Sequence, residues 1–344
     1  MTFYLLSLFT GILECGWIAY GAIHSLPLWQ ILCYPLAYHL GNLFPKPFSL
    51  SRRCLTAMSI SAFVTSGLTI TTYRSDLIGF LFTCVSLFLL SAVFQSVRSE
   101  LKSAGNRLAK RIFRVGGFAL APLAAFFPSC ALLISSAVAL WGLKDYTGKC
   151  RISRLSWQKG FSLVMVFHQL HYFFYAHITL AVVSLSLTAK YTLGTVCATV
   201  LFCGTWITYM SVEPIISRLT PKVTPIFHAG HIGICILLFV MHLATRTSLF
   251  AILWLATGFG GGVVYTITAK AKINGAYDKT SMTISENIGH TFGLLTAVCV
   301  AALMPEQSLE IMLILGSISA MLAVISMFLI TRKEHKCEHI QSKS

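Results

Sequence analysis

Four stretches of this chain, 54–73, 77–95, 160–189 and 311–330, contain no Lys, Arg, Asp or Glu. Each has about the length of the ~20 residues that cross a hydrocarbon layer of ~30 Å. Inside lipid a backbone must satisfy its own hydrogen bonds, so each run is read as a helix. A transmembrane barrel would alternate apolar and polar residues with period two, and no such alternation occurs. Composition agrees: 56% of the 344 residues are hydrophobic and 11% are charged, against roughly 25% charged in soluble domains. Glu14 interrupts the first apolar run and no basic stretch precedes it, so that run is read as a retained span and not a cleavable leader.

Pro, Gly and charged residues punctuate the apolar blocks into twelve expected helices: 3–23, 26–44, 54–73, 77–97, 106–126, 128–143, 160–188, 191–211, 223–244, 247–268, 284–304 and 308–331. The stretch 106–143 decides the count. Split at Phe127-Pro128-Ser129, it places 23 of the 26 Lys and Arg on one side of the membrane, leaving Arg74, Lys190 and Arg246 on the other. One long helix would scramble that segregation after residue 143. Basic residues collect on the cytoplasmic side, so both termini are expected to be cytoplasmic. The formal charge of +15 is thereby explained by topology, and no basic face outside the spans supports nucleic-acid binding. Eleven cysteines are scattered without a CxxC pair, which implies neither a disulfide framework nor a zinc knuckle.

The expected organisation is an all-α membrane protein of two six-helix halves, 1–143 and 160–331, joined by a basic cytoplasmic linker at 144–159 and ending in a cytoplasmic tail, 332–344. A faint internal repeat supports it. Gln95–Gly117 and Gly258–Gly289 each run from a helix end through a basic loop into a glycine-containing helix. Parallel six-helix repeats are an established transporter plan. The second-to-third connection reads Gly41-Asn42-Leu43-Phe44-Pro45-Lys46-Pro47, followed by Arg52-Arg53. Its counterpart in the second half reads Glu213-Pro214-Ile215-Ile216-Ser217-Arg218. In topology across nearly the whole chain, and in the glycine and arginines of these loops, the sequence resembles the major facilitator superfamily. The aspartate usual in that family's loop is absent. The resemblance implies that the first and seventh helices line a central cavity, that the ninth is peripheral, and that the halves rock in alternating access.

Several polar residues stand out against this apolar background. Glu14 is an acid deep within a span, where burying a charge is costly enough to mark a cavity or a partner. It is read as a proton-coupling or cation-binding carboxylate, with a structural hydrogen bond between the first two spans as the alternative. In the seventh span His168, His171, Tyr172 and Tyr175 share one helical face, and His177 points the other way. Two imidazoles and two phenols can bind a metal, a metal chelate, an organic anion or protons, or can pack by interhelical hydrogen bonds. His228, His231 and His242 share a face of the ninth span and are read chiefly as a polar packing seam. Glu286 and His290 are helical neighbours in the eleventh span. They are read either as a gate or proton relay at the inner mouth or as a helix start favoured by the helix dipole. Gly258, Gly260, Gly261 and Gly262 suit close packing or bending. His335, Cys337 and His339 could hold a metal ion loosely and are read chiefly as part of an irregular cytoplasmic tail.

No phosphate loop occurs, which excludes direct ATP hydrolysis, and no cofactor is expected. The function expected is secondary active transport of a small solute across the cell inner membrane, with protons as coupling ion. The substrate site is His168, His171, Tyr172 and Tyr175, and Glu14, Glu286 and His290 carry protons. A metal chelate such as a siderophore complex, or an organic anion, suits a His/Tyr face. The alternatives are drug or metabolite efflux, and a membrane-embedded metal enzyme using the histidines of the seventh and ninth spans. Against the enzyme, no HExxH spacing is present.

Overall fold

α1 (Thr2–Ile23) ends through a capping arrangement written in its own sequence. The amides of Ser25 and Leu26 donate to the carbonyls of Ala22 and Gly21. Ser25 adopts the left-handed φ of 52° that such a cap requires. Pro27 follows, cannot donate to a continuing ladder, and sits at the N-cap of α2 (Leu28–Leu43).

The computed structural model describes residues 1–45, 50–71, 77–101, 107–148, 159–190, 194–218, 223–244, 246–273 and 279–341. Ten further helices follow: α3 (Arg52–Thr71), α4 (Leu77–Leu101), α5 (Arg107–Phe126), α6 (Pro128–Gly142), α7 (Lys159–Lys190), α8 (Gly194–Arg218), α9 (Val223–His242), α10 (Thr247–Ile273), α11 (Lys279–Leu303) and α12 (Ser308–Gln341). No strand occurs among the described residues. The described residues are all-α, with the twelve α-helices expected. Nine of them among the described residues, α1, α3, α4 and α7 to α12, are long and apolar enough to cross a membrane. This is a multi-pass membrane protein.

The break between α5 and α6 falls at Phe127, whose φ of −125° and ψ of 58° leave the helical region, and Pro128 takes the first helical position. A residue before proline is pushed out of the α region, and proline is preorganised to begin a helix. The helices overrun the apolar blocks at several ends. α8 continues through Pro214 to Arg218, α10 to Ile273, and α12 to Gln341 where an irregular tail was expected. Hydropathy marks where lipid contact stops, whereas the backbone ladder continues until something breaks it. Several charge-bearing loops, including 46–49, Arg74, 149–158 and 274–278, lie outside the described residues, as do the side chains of His335, Cys337 and His339.

The chain forms two compact units. The first comprises Met1–Arg154, His177–Cys203 and Ala297–Pro305; the second comprises Leu155–Ala176, Gly204–Thr296 and Glu306–Ser344. In the first unit α1 is central, with 17 of its 22 residues buried, packed against α2, α4, α5 and α6. Its crossing with α5 brings backbone against backbone. A Cβ on Gly117 would collide with the carbonyl oxygen of Leu8, and one on Gly11 with that of Arg114. Small residues at such crossings let membrane helices approach closely. Hydroxyl pairs join neighbouring helices: Thr65 Oγ1 lies 2.7 Å from Ser86 Oγ, and Thr69 Oγ1 lies 3.2 Å from Ser129 Oγ. On α3, Ile60, Phe63, Val64 and Ile70 are exposed, as a lipid-facing surface requires.

In the second unit α9 packs against α10 and α12. A Cβ on Gly258 would strike the carbonyl oxygen of Thr205, and one on Gly262 that of Tyr209. The glycines of the tenth span therefore serve close approach to α8, and α10 stays a single helix through them.

Candidate functional site

His168 and His171 lie one turn apart on α7, and α9 brings His231 against them. The three imidazoles are 7%, 2% and 0% exposed. Ring centroids are 5.3 Å apart for His168 and His171, 5.1 Å for His171 and His231, and 5.0 Å for His168 and His231. Each residue offers one ring nitrogen, and the three nitrogens lie within 4.8 Å of one another.

The ring hydrogens follow from the partners. A carbonyl oxygen only accepts. His231 Nδ1, 2.9 Å from the Phe227 carbonyl oxygen, therefore carries a hydrogen, and so does His171 Nδ1, 3.4 Å from that of Phe167. In a neutral His231 ring Nε2 is then a lone pair, and His168 Nδ1, 3.0 Å away, donates to it. Two of the three rings are thus held by a carbonyl one turn back on their own helix. A backbone carbonyl of this kind fixes the tautomer and ring orientation of metal-ligating histidines.

Aromatic residues enclose the triad. The Tyr175 ring lies nearly parallel to His171, centroids 6.5 Å apart at 15°, and Trp254 stands 5.7 Å from Tyr175. Phe227 lies 4.1 Å from His231. Tyr172 is half-buried and meets Tyr175 edge-on at 6.0 Å. Of the four-residue face expected on the seventh span, His168, His171 and Tyr175 are gathered, and Tyr172 stands at the margin. His228 and His242, which share the expected face with His231, are not among the three clustered ligands. His290 Nε2 lies 2.6 Å from Gln169 Oε1, its ring 4.0 Å from Phe173. It thereby ties α11 to a different face of α7. Glu286, one turn earlier, is half-buried.

The first unit holds a second group. Glu14, 3% exposed, forms an ion pair with Arg114 of α5. His39 of α2 places Nε2 3.9 Å from Glu14 Oε1, and its ring centroid lies 5.7 Å from that of His177. Glu14, His39 and His177 are all buried, with donor atoms within 4.8 Å of one another. Arg98 of α4 donates from Nη1 to Thr10 Oγ1 at 2.7 Å, one turn before Glu14 on α1. One carboxylate thus sits among two guanidinium groups and two imidazoles. Arg98, expected just beyond the fourth span, belongs to α4, and Arg114, expected within the fifth span, belongs to α5; both were counted from sequence only as cytoplasmic bases, and both point their charges at α1.

Sequence reasoning did not find His39, Arg98 or Arg114 as site residues, read His231 chiefly as packing and joined it to the seventh-span histidines only in the metal-enzyme alternative, and set His177 apart from any group. A signal existed for His39. It is a solitary ionisable residue in an apolar span, and the rule that singled out Glu14 applies equally to it. Arg114 had no such signal, because it is one of six bases in 98–114.

No protein-family model and no curated protein sequence matches the chain. Its structure, in contrast, matches 65 solved chains. One is a bacterial metal transporter, with a TM-score of 0.63 at 12% identity over 95% of this chain and 97% of that one. A bacterial homologue of the iron transporter ferroportin gives 0.61 in its outward-facing state, at 15% identity over 96% and 98% of the two chains. In its inward-facing state it gives 0.62, at 15% identity over 95% and 97%. The fold is therefore major-facilitator-like, similar to that of the bacterial ferroportin homologue and the bacterial metal transporter.

Proposed function

We propose that this protein is a secondary transporter of a divalent transition-metal ion. The observation that carries the reading is the buried triad of His168, His171 and His231, with three nitrogen donors mutually within 4.8 Å. Imidazole is a borderline-soft ligand that suits zinc, copper, iron and nickel, and it competes poorly with oxygen donors for magnesium or calcium. A buried cluster this small suits a bare ion better than a siderophore chelate or an organic anion. A chelate arrives with its coordination filled and needs a wide pocket, whereas a bare ion needs converging lone pairs. The likeness to a bacterial metal transporter supports the same reading.

In this reading His168, His171 and His231 bind the ion, with Tyr175 and Tyr172 bordering them. The halves 1–143 and 160–331 rock about the sites, and the protein works in the cell inner membrane with cytoplasmic termini. Ion binding needs the His231 lone pair that His168 now occupies, so the shared hydrogen must leave the line between the two rings. Binding is thereby linked to proton movement. Glu286 and His290 are the other groups proposed to carry protons, and Glu14 is read as a cation-binding carboxylate. Reconstitution into vesicles containing a metal-sensitive dye tests this. Flux of iron(II), cobalt(II) or zinc is expected for the intact chain and is expected to collapse in His168→Ala and His231→Ala. Equal flux in both variants would remove the triad from the transport site, and no flux of any of the three metals would remove the function.

A further inference from the structure

Glu14, His39 and His177 have the donor types of a divalent-cation site, yet the carboxylate already holds a cation that belongs to the protein. Arg114 pairs directly with Glu14, and Arg98 stands one helical turn away through Thr10. A divalent ion added to this group would meet two fixed positive charges and a single carboxylate. Like charges oppose one another strongly where water is scarce, so the ion and the Arg114 guanidinium compete for the same oxygens.

The geometry shows which of the two competitors can move. The Arg114 backbone is locked, since its carbonyl oxygen lies where a Cβ on Gly11 would be, at the backbone-to-backbone crossing of α1 and α5. Its side chain is 26% exposed, against 3% for Glu14, and long cationic side chains carry their charge toward water on a flexible stem. Displacing the guanidinium therefore needs rotations about its own side chain and no sliding of helices. Glu14 and its imidazole neighbours are buried and stay in place.

Resting on the reading of the protein as a metal transporter, we propose that Glu14, His39 and His177 form a second cation site, in which the Arg114 guanidinium is the resident occupant. A divalent ion enters by displacing Arg114 from Glu14, and Arg114 returns when the ion leaves. The carboxylate is never left bare within the membrane. Arg114 thereby sets the affinity of the site and favours release.

The test uses the full chain in lipid nanodiscs, with the triad of the second unit removed by His168→Ala and His231→Ala, and cobalt(II) as the probe. Binding is read by calorimetry and by cobalt ligand-field absorption. In this background Arg114→Met is expected to tighten cobalt binding by about tenfold or more. Arg114→Lys is expected to bind as the parent does, and Glu14→Gln to abolish the gain. Cobalt binding to Arg114→Met no tighter than to the parent overturns the proposal. A second measurement needs no substitution at Arg114. Phenylglyoxal modification of Arg114 in the otherwise unmodified chain, located by peptide mass mapping, is expected to accelerate when cobalt is added. Modification that slows or stays constant counts against displacement. The two readings fail separately. Metal flux without any effect of Arg114 retains transport and removes the exchange, while Glu14-dependent cobalt binding released by Arg114→Met, in a chain that moves no metal, does the reverse.

Discussion

His168 on α7 and His231 on α9 are separated by 63 residues in sequence, yet His168 Nδ1 lies 3.0 Å from His231 Nε2. Lone pairs do not face each other at that distance, so a hydrogen stands between the two rings. A metal bound by both would take its place, with each nitrogen at ~2.0–2.1 Å from the ion.

Replacing either ring by alanine removes one of the three nitrogen donors. Apparent zinc or cobalt affinity at the triad is expected to fall by about a hundredfold or more, beyond the tenfold to hundredfold typical of losing an outer-shell partner. His228→Ala and His242→Ala, made on the same helix outside the triad, are expected to retain it. Isothermal calorimetry on the four variants separates a triad from a general histidine-rich surface; equal losses in all four would count against the triad.

Selectivity follows from the donor set. The triad contains no carboxylate, and nitrogen ligands hold iron(II), cobalt(II) and zinc far better than magnesium or calcium. Millimolar magnesium is therefore expected to leave cobalt binding at the triad unchanged, whereas zinc displaces it. Displacement by magnesium at comparable concentration would show that oxygen donors hold the ion.

Gln169 and His290 join α7 to α11 by a 2.6 Å contact. The two side chains touch directly, so the effects of Gln169→Leu and His290→Leu are expected not to add. A double-mutant cycle on thermal stability should give a coupling of about 0.5–3 kcal/mol, the range for residues in direct contact. A coupling near zero would mean that the contact contributes nothing.

The crossing of α1 and α5 gives a prediction about the fold alone. Gly117→Val forces side-chain atoms into the carbonyl of Leu8, and overpacking typically costs ~1–3 kcal/mol. Gly67 and Gly233 have nothing within 4 Å of an added Cβ, so Gly67→Ala and Gly233→Ala serve as controls. The melting temperature in detergent should drop for the first and hold for the other two.

The fold was largely legible because hydrophobic length, proline position and charge segregation all bear on single spans. Phe127-Pro128 offered the break between α5 and α6, charge segregation chose it over one long helix, and the count of twelve followed. Members of the candidate groups were legible only where a polar residue is conspicuous within its own helix. Glu14, His168 and His171 met that condition, and the structure gathers each into a buried cluster. His231 did not, because its role depends on which face of α9 meets α7, and helical periodicity cannot report a neighbour. Arg114 was hidden for a different reason: among the six basic residues of 98–114 a guanidinium that pairs inward has the same sequence context as one that marks topology. His177 shows the same limit in reverse. Periodicity set it opposite His168, and only the fold reveals that it faces Glu14 and His39.

The Glu14–Arg114 pair also predicts a pattern of stability. Taking away one member of a buried ion pair leaves the other uncompensated, which typically costs ~3–5 kcal/mol, whereas replacing both by apolar groups can be neutral. Arg114 is 26% exposed and less enclosed than the carboxylate, so Glu14→Gln is expected to cost less, about 1–3 kcal/mol. Arg114→Met should cost more than Glu14→Gln, because the carboxylate it abandons is only 3% exposed and cannot turn outward. The double variant should be more stable than Arg114→Met alone. Melting temperatures of the three variants in one detergent check the order. If Glu14→Gln proved the more damaging single change, the guanidinium rather than the carboxylate would be the trapped member of the pair, and Arg114 could not be the partner that moves.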